Sequence, residues 1–391
     1  MVADLRVAVV GGGIGGLAAT LAFYRRGIEV RCFEQAGVLA EVGAGLMLAP
    51  NGVRALRHLG VGDVVDRLGG PITDMIISGA DGTEVARVDR RTPGGSERYL
   101  GIHRADLFEL LASELPDDIV VAGHRCVQFE QEPERATVCF ANGASYDADV
   151  VIAADGIHSF LQRYVVSPAK PVHSGTTAYR GTLPSSEVDW PPGRFQIWMG
   201  LGKHFIAYPL RAGELVNYVG FVTTADKARE SWSAHGDLRE LAAAFAGWDE
   251  TVKRIIDRIG DTFAWGLYDR EPLSRWTAGR LALLGDAAHP MLPHAGQGAN
   301  QALEDAVTVA ALVARAHRAD VPRALQHYVN LRRPRTTEIQ RNSRSNGNRF
   351  DSDEGHIEAR DRSISSGPGD TSWIDDHDAV AHAEAYADAL D

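Results

Sequence analysis

Cysteine is nearly absent: Cys32, Cys126 and Cys139 are the only three in 391 residues, and no C-x-x-C pairs them. An odd, widely spaced set fits neither a disulfide framework nor a closed zinc-thiolate site, so isolated buried thiols are expected. An excess of positive charge is also lacking. Forty Lys and Arg against 52 Asp and Glu give a formal net charge of -12, which predicts no nucleic-acid partner and no attraction to anionic membrane surfaces. No apolar run approaches the length of a transmembrane segment. The run 5–10 starts too early and turns to glycine too soon for a secretory leader, so a cytoplasmic chain is expected. Internal repeats are missing, which points to one continuous core rather than stacked units.

What the chain has is apolar mass. A hydrophobic content of 45% over 391 residues suits two closely joined domains. Residues 6–10 read as a buried strand, 14–26 as a helix with Leu17, Leu21 and Tyr24 at helical spacing, and 29–33 as a second strand ending in Glu34. This is a β-α-β unit with an acidic residue at the end of its second strand.

Between those strands stand Gly11, Gly13 and Gly16 in the order G-x-G-x-x-G. The first glycine permits a tight turn, the second a close approach of diphosphate to backbone, and the third helix contact. The helix N-terminus adds positive partial charge, and Glu34 can accept hydrogen bonds from ribose hydroxyls while disfavouring a 2′-phosphate. The fingerprint fixes a dinucleotide and leaves NAD and FAD both open.

Further along, helices are expected over 51–59, 104–111 and 301–315, with another over 318–333 that ends before Pro334. Strands are expected over 75–77, 84–88, 126–131, 136–139, 147–153 and 281–284. Residues 175–223 alternate as an antiparallel sheet should. The fold expected is α/β, a Rossmann-like dinucleotide-binding domain (an FAD-binding domain if FAD is the dinucleotide) joined to an antiparallel-sheet substrate domain. Residues 1–174 form mainly the first, with inserted strands, and 175–275 the covering sheet. Residues 276–341 return to the first domain, and 342–391 form a polar, partly ordered extension with Trp373, Ile374 and an Ala-rich end as packing anchors.

Several runs together resemble the class A FAD-dependent aromatic hydroxylases, particularly the salicylate hydroxylase branch and its relatives acting on 3-hydroxybenzoate or 6-hydroxynicotinate. They are Gly11 to Gly16 with Glu34, Glu41-Val42-Gly43-Ala44-Gly45, Arg104 with Asp106, Asp155-Gly156, and Gly285-Asp286-Ala287-Ala288-His289-Pro290. The resemblance covers most of the chain. It implies bound FAD, NADH or NADPH as a transient electron donor, dioxygen as co-substrate, and a small phenolic or heteroaromatic carboxylate as substrate. It places Arg104 near the FAD diphosphate or ribityl chain, Asp286 on the ribityl hydroxyls, and Gly298 and Asn300 around the isoalloxazine. Salicylate, converted to catechol with decarboxylation, is the substrate it favours. A dehydrogenase or oxidase, and a noncatalytic flavin-binding redox sensor, are the competing readings of the same cofactor fold.

For the substrate, an extended segment 203–209 puts His204, Ile206 and Tyr208 on one face. His204 is the candidate acceptor of a phenolic proton, and Tyr208 the candidate hydrogen-bonding partner of a phenolate or carboxylate. Arg180 is a candidate for either a substrate carboxylate or a flavin phosphate. No metal is expected, since His289 and His294 share a loop without metal-ligand spacing and FAD carries the redox chemistry itself.

Overall fold

The computed structural model describes residues 5–39, 43–91, 97–167, 170–224, 235–352, 354–367 and 370–389. Strands β1 (Arg6–Val10) and β2 (Glu29–Phe33) lie parallel and are joined by helix α1 (Ile14–Arg25). Gly27, with a φ of 71°, turns the chain out of the helix. Leu17 and Leu21 are buried against the sheet, but Tyr24 is 42% exposed, so the apolar face ends a turn before the spacing suggests. The full sheet runs Thr277–Ala278, Leu281–Leu283, Val150–Ala153, β1, β2, Val120–Val121, and only its first pair is antiparallel.

A second sheet of seven strands is built on β3 (Val172–Pro184), β4 (Arg194–Gly200), β5 (Lys203–Leu210), β6 (Leu215–Thr223) and β7 (Phe263–Asp269). Their order is β7-β3-β6-β5-β4, all antiparallel. Strands Asp74–Gly79 and Glu84–Asp89, early in the sequence, complete it. The first of these pairs parallel with β4, Arg194 opposite Asp74, so these two strands extend the second sheet.

Helix α2 (Gly298–Val313) is buried from Asn300 to Val313, its small and aliphatic side chains filling the space beside α1. Helix α3 (Val321–Phe350) continues far past Pro334, where the sequence pattern ends it. The ring removes one backbone donor, the partner of the Asn330 carbonyl four residues earlier, but Asn330 is exposed and water can take that place. Beyond α3 the chain packs back on the first domain: Ile374, Val380 and Ala383 are buried, Arg335 donates to the Trp373 carbonyl at 2.7 Å, and Arg54 donates to that of His377 at 2.9 Å. No helix among the described residues is long and apolar enough to cross a membrane.

Two adjacent carboxylates of α2 are fully buried. Arg332 of α3 donates to Asp305 at 2.7 Å and also bonds Glu304, while Arg335 donates to Glu304 at 2.9 Å. Burial pulls the Glu304 carboxyl up, yet Arg332 and Arg335 outweigh it and hold the group down at about 2. The folded value lies below that of the unfolded chain, so this contribution is complete above pH 4.5 and is lost as pH falls towards 2. Arg332→Met is expected to cost about 3–5 kcal/mol in denaturant unfolding at pH 7, because two carboxylates lose a buried partner. The gap between variant and parent should narrow at pH 3; an equal gap at both pH values would contradict the assignment.

Candidate active site

Strand register places the motifs together. Val10 lies opposite both Phe33 and Ala153, and Ala153 opposite Leu283. The residues that follow these strands, Gly11, Glu34, Asp155 and the Gly285–Ala287 turn, therefore share the carboxyl-end edge of the parallel sheet, where such sheets bind nucleotides.

The three glycines do different work. Gly11 has a φ of 107°, and a Cβ there would stand 2.2 Å from the Ala154 carbonyl oxygen. A Cβ on Gly16 would stand 1.8 Å from the Gly11 carbonyl oxygen. Gly13 differs: its φ is -73°, and nothing lies within 4 Å of its Cβ position, which opens onto the cleft. Helix α1 starts beside it with neither a side-chain cap nor an acidic residue in its first turn, leaving its amide donors for a diphosphate. Glu34 accepts from the amides of Gly12 at 2.7 Å and Ala36 at 2.8 Å, which fixes its carboxylate at the mouth of the loop with acceptor capacity to spare. Asp155 accepts from the amides of Phe160 at 2.8 Å and Leu161 at 3.2 Å and so shapes the loop that follows Gly156.

Arg104 and Asp286 lie near enough to interact electrostatically. Arg104 opens the helix Arg104–Ser113, its amide donating to Ala44 at 3.1 Å, and Gly43 leaves room for its side chain. Glu41 and Val42 of the same run lie outside the described residues. Asp106 instead ties the domains together by accepting from Arg211 at 2.7 and 2.9 Å. Asp286 is exposed to the cleft and has no hydrogen-bond donor among the described residues. The surrounding protein mass raises its carboxyl above the ordinary range, with His289 and Arg104 opposing the shift. An unused acceptor facing Arg104 suits the hydroxyls of a ribityl chain.

Gly298 begins α2, so the amide end of that helix is directed at the same region. The Asn300 side chain is spent on backbone. Its Nδ2 donates to the carbonyls of Met47 at 3.0 Å and Gly296 at 2.8 Å, and its Oδ1 accepts from the amide of Ala49 at 3.1 Å. The buried amide braces the loop before α2 against the Met47–Ala49 segment. His289 has its Nε2 2.5 Å from Asp305, which also accepts from the Gly285 amide at 3.0 Å, so the histidine anchors the turn that carries Asp286.

Strand β5 is extended over its whole length and shows His204 and Tyr208 on one face. Tyr208 stacks on Phe195 with centroids 5.4 Å apart and abuts Gly101, where a Cβ would come within 2.8 Å of its ring. Burial pushes its hydroxyl up to about 12, with Arg180 opposing, so it remains a neutral donor at physiological pH. Arg180 donates to the Gly45 carbonyl at 2.6 Å and lies over the Trp265 ring at 4.6 Å. Desolvation brings this guanidinium down to about 10, Tyr208 opposes the shift, and the positive field of Arg104 adds to it. Arg180 thus lies between the cofactor wall and Tyr208.

His204 is fully buried and stacks on Phe221 at 4.3 Å. Two neighbours escaped the sequence reading. His294, read there only as an unlikely metal ligand, has its ring 5.2 Å from that of His204, and burial brings it down to about 3. Asp351, placed by sequence in the polar extension, has its Oδ1 2.6 Å from His204 Nδ1. Both line a cavity of about 490 Å³ between β3, β6 and the end of α3, a volume in the range of small-molecule sites.

The geometry separates two glycine variants. Gly13→Val should leave thermal unfolding of the apoprotein within a few degrees of the parent while weakening FAD binding at least about tenfold, because the new side chain enters only the diphosphate space. Gly16→Ala should fail to accumulate as folded protein, its Cβ meeting backbone. Titration with FAD alongside thermal melts checks both; FAD affinity unchanged in Gly13→Val would contradict the placement.

The FAD binding domain family model matches residues 4–343 of this chain. The 3-amino-4-hydroxybenzoate 2-monooxygenase of Streptomyces cremeus is 40% identical, over 87% of this chain and 86% of its own length. A salicylate hydroxylase of Pseudomonas putida is 35% identical over 89% and 86%. A solved salicylate hydroxylase substrate complex superposes with a TM-score of 0.85 at 30% identity, covering 98% of each chain. The open diphosphate loop, the unused Asp286 acceptor and the covering sheet agree with that likeness, and the chain belongs to the FAD-binding family of flavin-dependent oxidoreductases that includes these aromatic-ring monooxygenases.

Proposed function

We propose that the protein is a cytoplasmic, NAD(P)H-dependent monooxygenase that hydroxylates a small phenolic aromatic carboxylate. The observation that supports this reading is a cation and a neutral phenol donor on the covering sheet, Arg180 bonded to the Gly45 carbonyl and Tyr208 packed between Phe195 and Gly101. A hydroxybenzoate needs both kinds of partner. The names of the two relatives, at 40% and 35% identity, share that substrate chemistry.

Bound FAD would supply hydride acceptance and dioxygen activation, which leaves the protein to position the ring and keep water away. Arg180 offers the carboxylate a charge-assisted bond. Tyr208 donates to the phenolic or carboxylate oxygen. His204 is the base for the phenolic proton, which makes the ring electron-rich. Phe195, Ile206 and Phe221 surround these groups with apolar surface that excludes bulk water. Salicylate, giving catechol with loss of the carboxylate, is the substrate favoured by the resemblance, and 3-amino-4-hydroxybenzoate is its main rival.

The test is incubation of FAD-loaded protein with NADH or NADPH, dioxygen and a panel of salicylate, 3-amino-4-hydroxybenzoate, 3-hydroxybenzoate and 6-hydroxynicotinate. Product mass and hydrogen peroxide are quantified. A hydroxylated product formed in near-equal amount to nicotinamide oxidised is expected for one acid. Peroxide alone with every acid would favour the oxidase reading instead. Tyr208→Phe should retain FAD and lower the yield of product per nicotinamide oxidised by roughly three- to tenfold, the worth of one hydrogen bond. An unchanged yield would remove Tyr208 from the substrate site.

A further inference from the structure

Asp351 closes helix α3, 147 residues from His204 in sequence, yet its carboxylate is 2.6 Å from the imidazole Nδ1. An ionised carboxylate only accepts hydrogen bonds, so the contact fixes the proton on Nδ1. The stack on Phe221, within 18° of parallel, and the Phe350 ring at 5.4 Å hold the imidazole plane. Nε2 is buried and has no partner among the described residues. A buried ring nitrogen with no partner is an acceptor left without a donor.

We propose that Asp351 is a positioning residue: it holds His204 as the Nδ1–H tautomer and thereby makes Nε2 the atom that takes the phenolic proton. The inference rests on the hydroxybenzoate reading for the source of that proton. In the step, the phenol O–H bond breaks, an Nε2–H bond forms, and the resulting imidazolium is stabilised by the carboxylate of Asp351. No electrons change hands. The titratable groups facing His204 are Asp351 from the end of α3 and His294 from the Pro293–Ala295 turn. His294 stays neutral because burial depresses its basicity. Arg344, on the same cavity, is held by Asp269 and Glu271. Asp351 is therefore the carboxylate in direct contact with the imidazole. It is also open to the cavity, which gives its second oxygen access to water.

The pair is tested first in the wild-type holoenzyme by nitrogen-15 NMR of labelled histidine, with His204→Gln identifying the signal. Protonated Nδ1 and unprotonated Nε2 at neutral pH are expected; the reverse tautomer would overturn the proposal without any variant. Asp351→Asn removes the charge at constant shape, so His204 should lose its proton more easily. The acid limb of kcat/KM, measured with the panel acid that turns over, should move to lower pH by about one unit. The plateau should fall about tenfold or more, because the amide no longer selects the tautomer. A lower plateau with an unmoved limb would reduce Asp351 to a structural anchor and overturn the proposal. The expected tautomer in a protein that turns over none of the acids would leave the pair standing and overturn the hydroxybenzoate reading instead.

Discussion

Asp305 is the point on which the architecture turns. One buried carboxylate accepts from the Gly285 amide at 3.0 Å and from Arg332 at 2.7 Å, and lies 2.5 Å from His289. It thereby ties the end of the parallel sheet, helix α2 and helix α3 to one another. A charge in that position is costly unless every lone pair is used and a counter-charge is present, and here Arg332 supplies it. Once these bonds form, the turn carrying Asp286 cannot rotate away from the cleft, and the amide end of α2 is aimed at the same place.

From this anchor α3 reaches across to the second sheet. Gln340 donates to the Pro290 carbonyl at 2.7 Å and the Ser343 hydroxyl to that of Leu292, while Gly347 is bare so that His294 can fit against it. The helix ends beside His204. On the other side the sheets are fastened at Gly45, whose amide donates to Asn217 at 2.7 Å and whose carbonyl accepts from Arg180 at 2.6 Å. A Cβ on Gly45 would come within 2.7 Å of Leu210, so glycine there permits the close approach of cofactor wall and substrate sheet. These two fastenings hold the cofactor domain and the covering sheet together, the condition for orienting a small ring against a flavin.

The cofactor half of this arrangement was legible in the sequence because its determinants are local. Gly11, Gly13, Gly16 and Glu34 lie within one β-α-β unit, and backbone sterics at Gly11 and Gly16 demand those residues whatever the rest of the chain does. The second sheet was legible by alternation, but not the strands Asp74–Gly79 and Glu84–Asp89 as its members, since a parallel pairing across about a hundred residues leaves no local mark. Pro334 misled the reading of α3 because a proline breaks a helix only where the lost bond cannot be replaced. That error put Asp351 in a polar tail. That the Asn300 amide braces the backbone of Met47, Ala49 and Gly296 is likewise invisible to sequence, because the partners lie about 250 residues away or depend on the fold of the loop.

An aromatic-ring monooxygenase carries one atom of dioxygen into its product. Turnover under 18O2 in ordinary water, with the product of the active panel acid analysed by mass, tests it most directly. One labelled oxygen per product molecule, and none when the label is in the water, is the result predicted. Unlabelled product, or consumption of labelled dioxygen into peroxide alone, would contradict it.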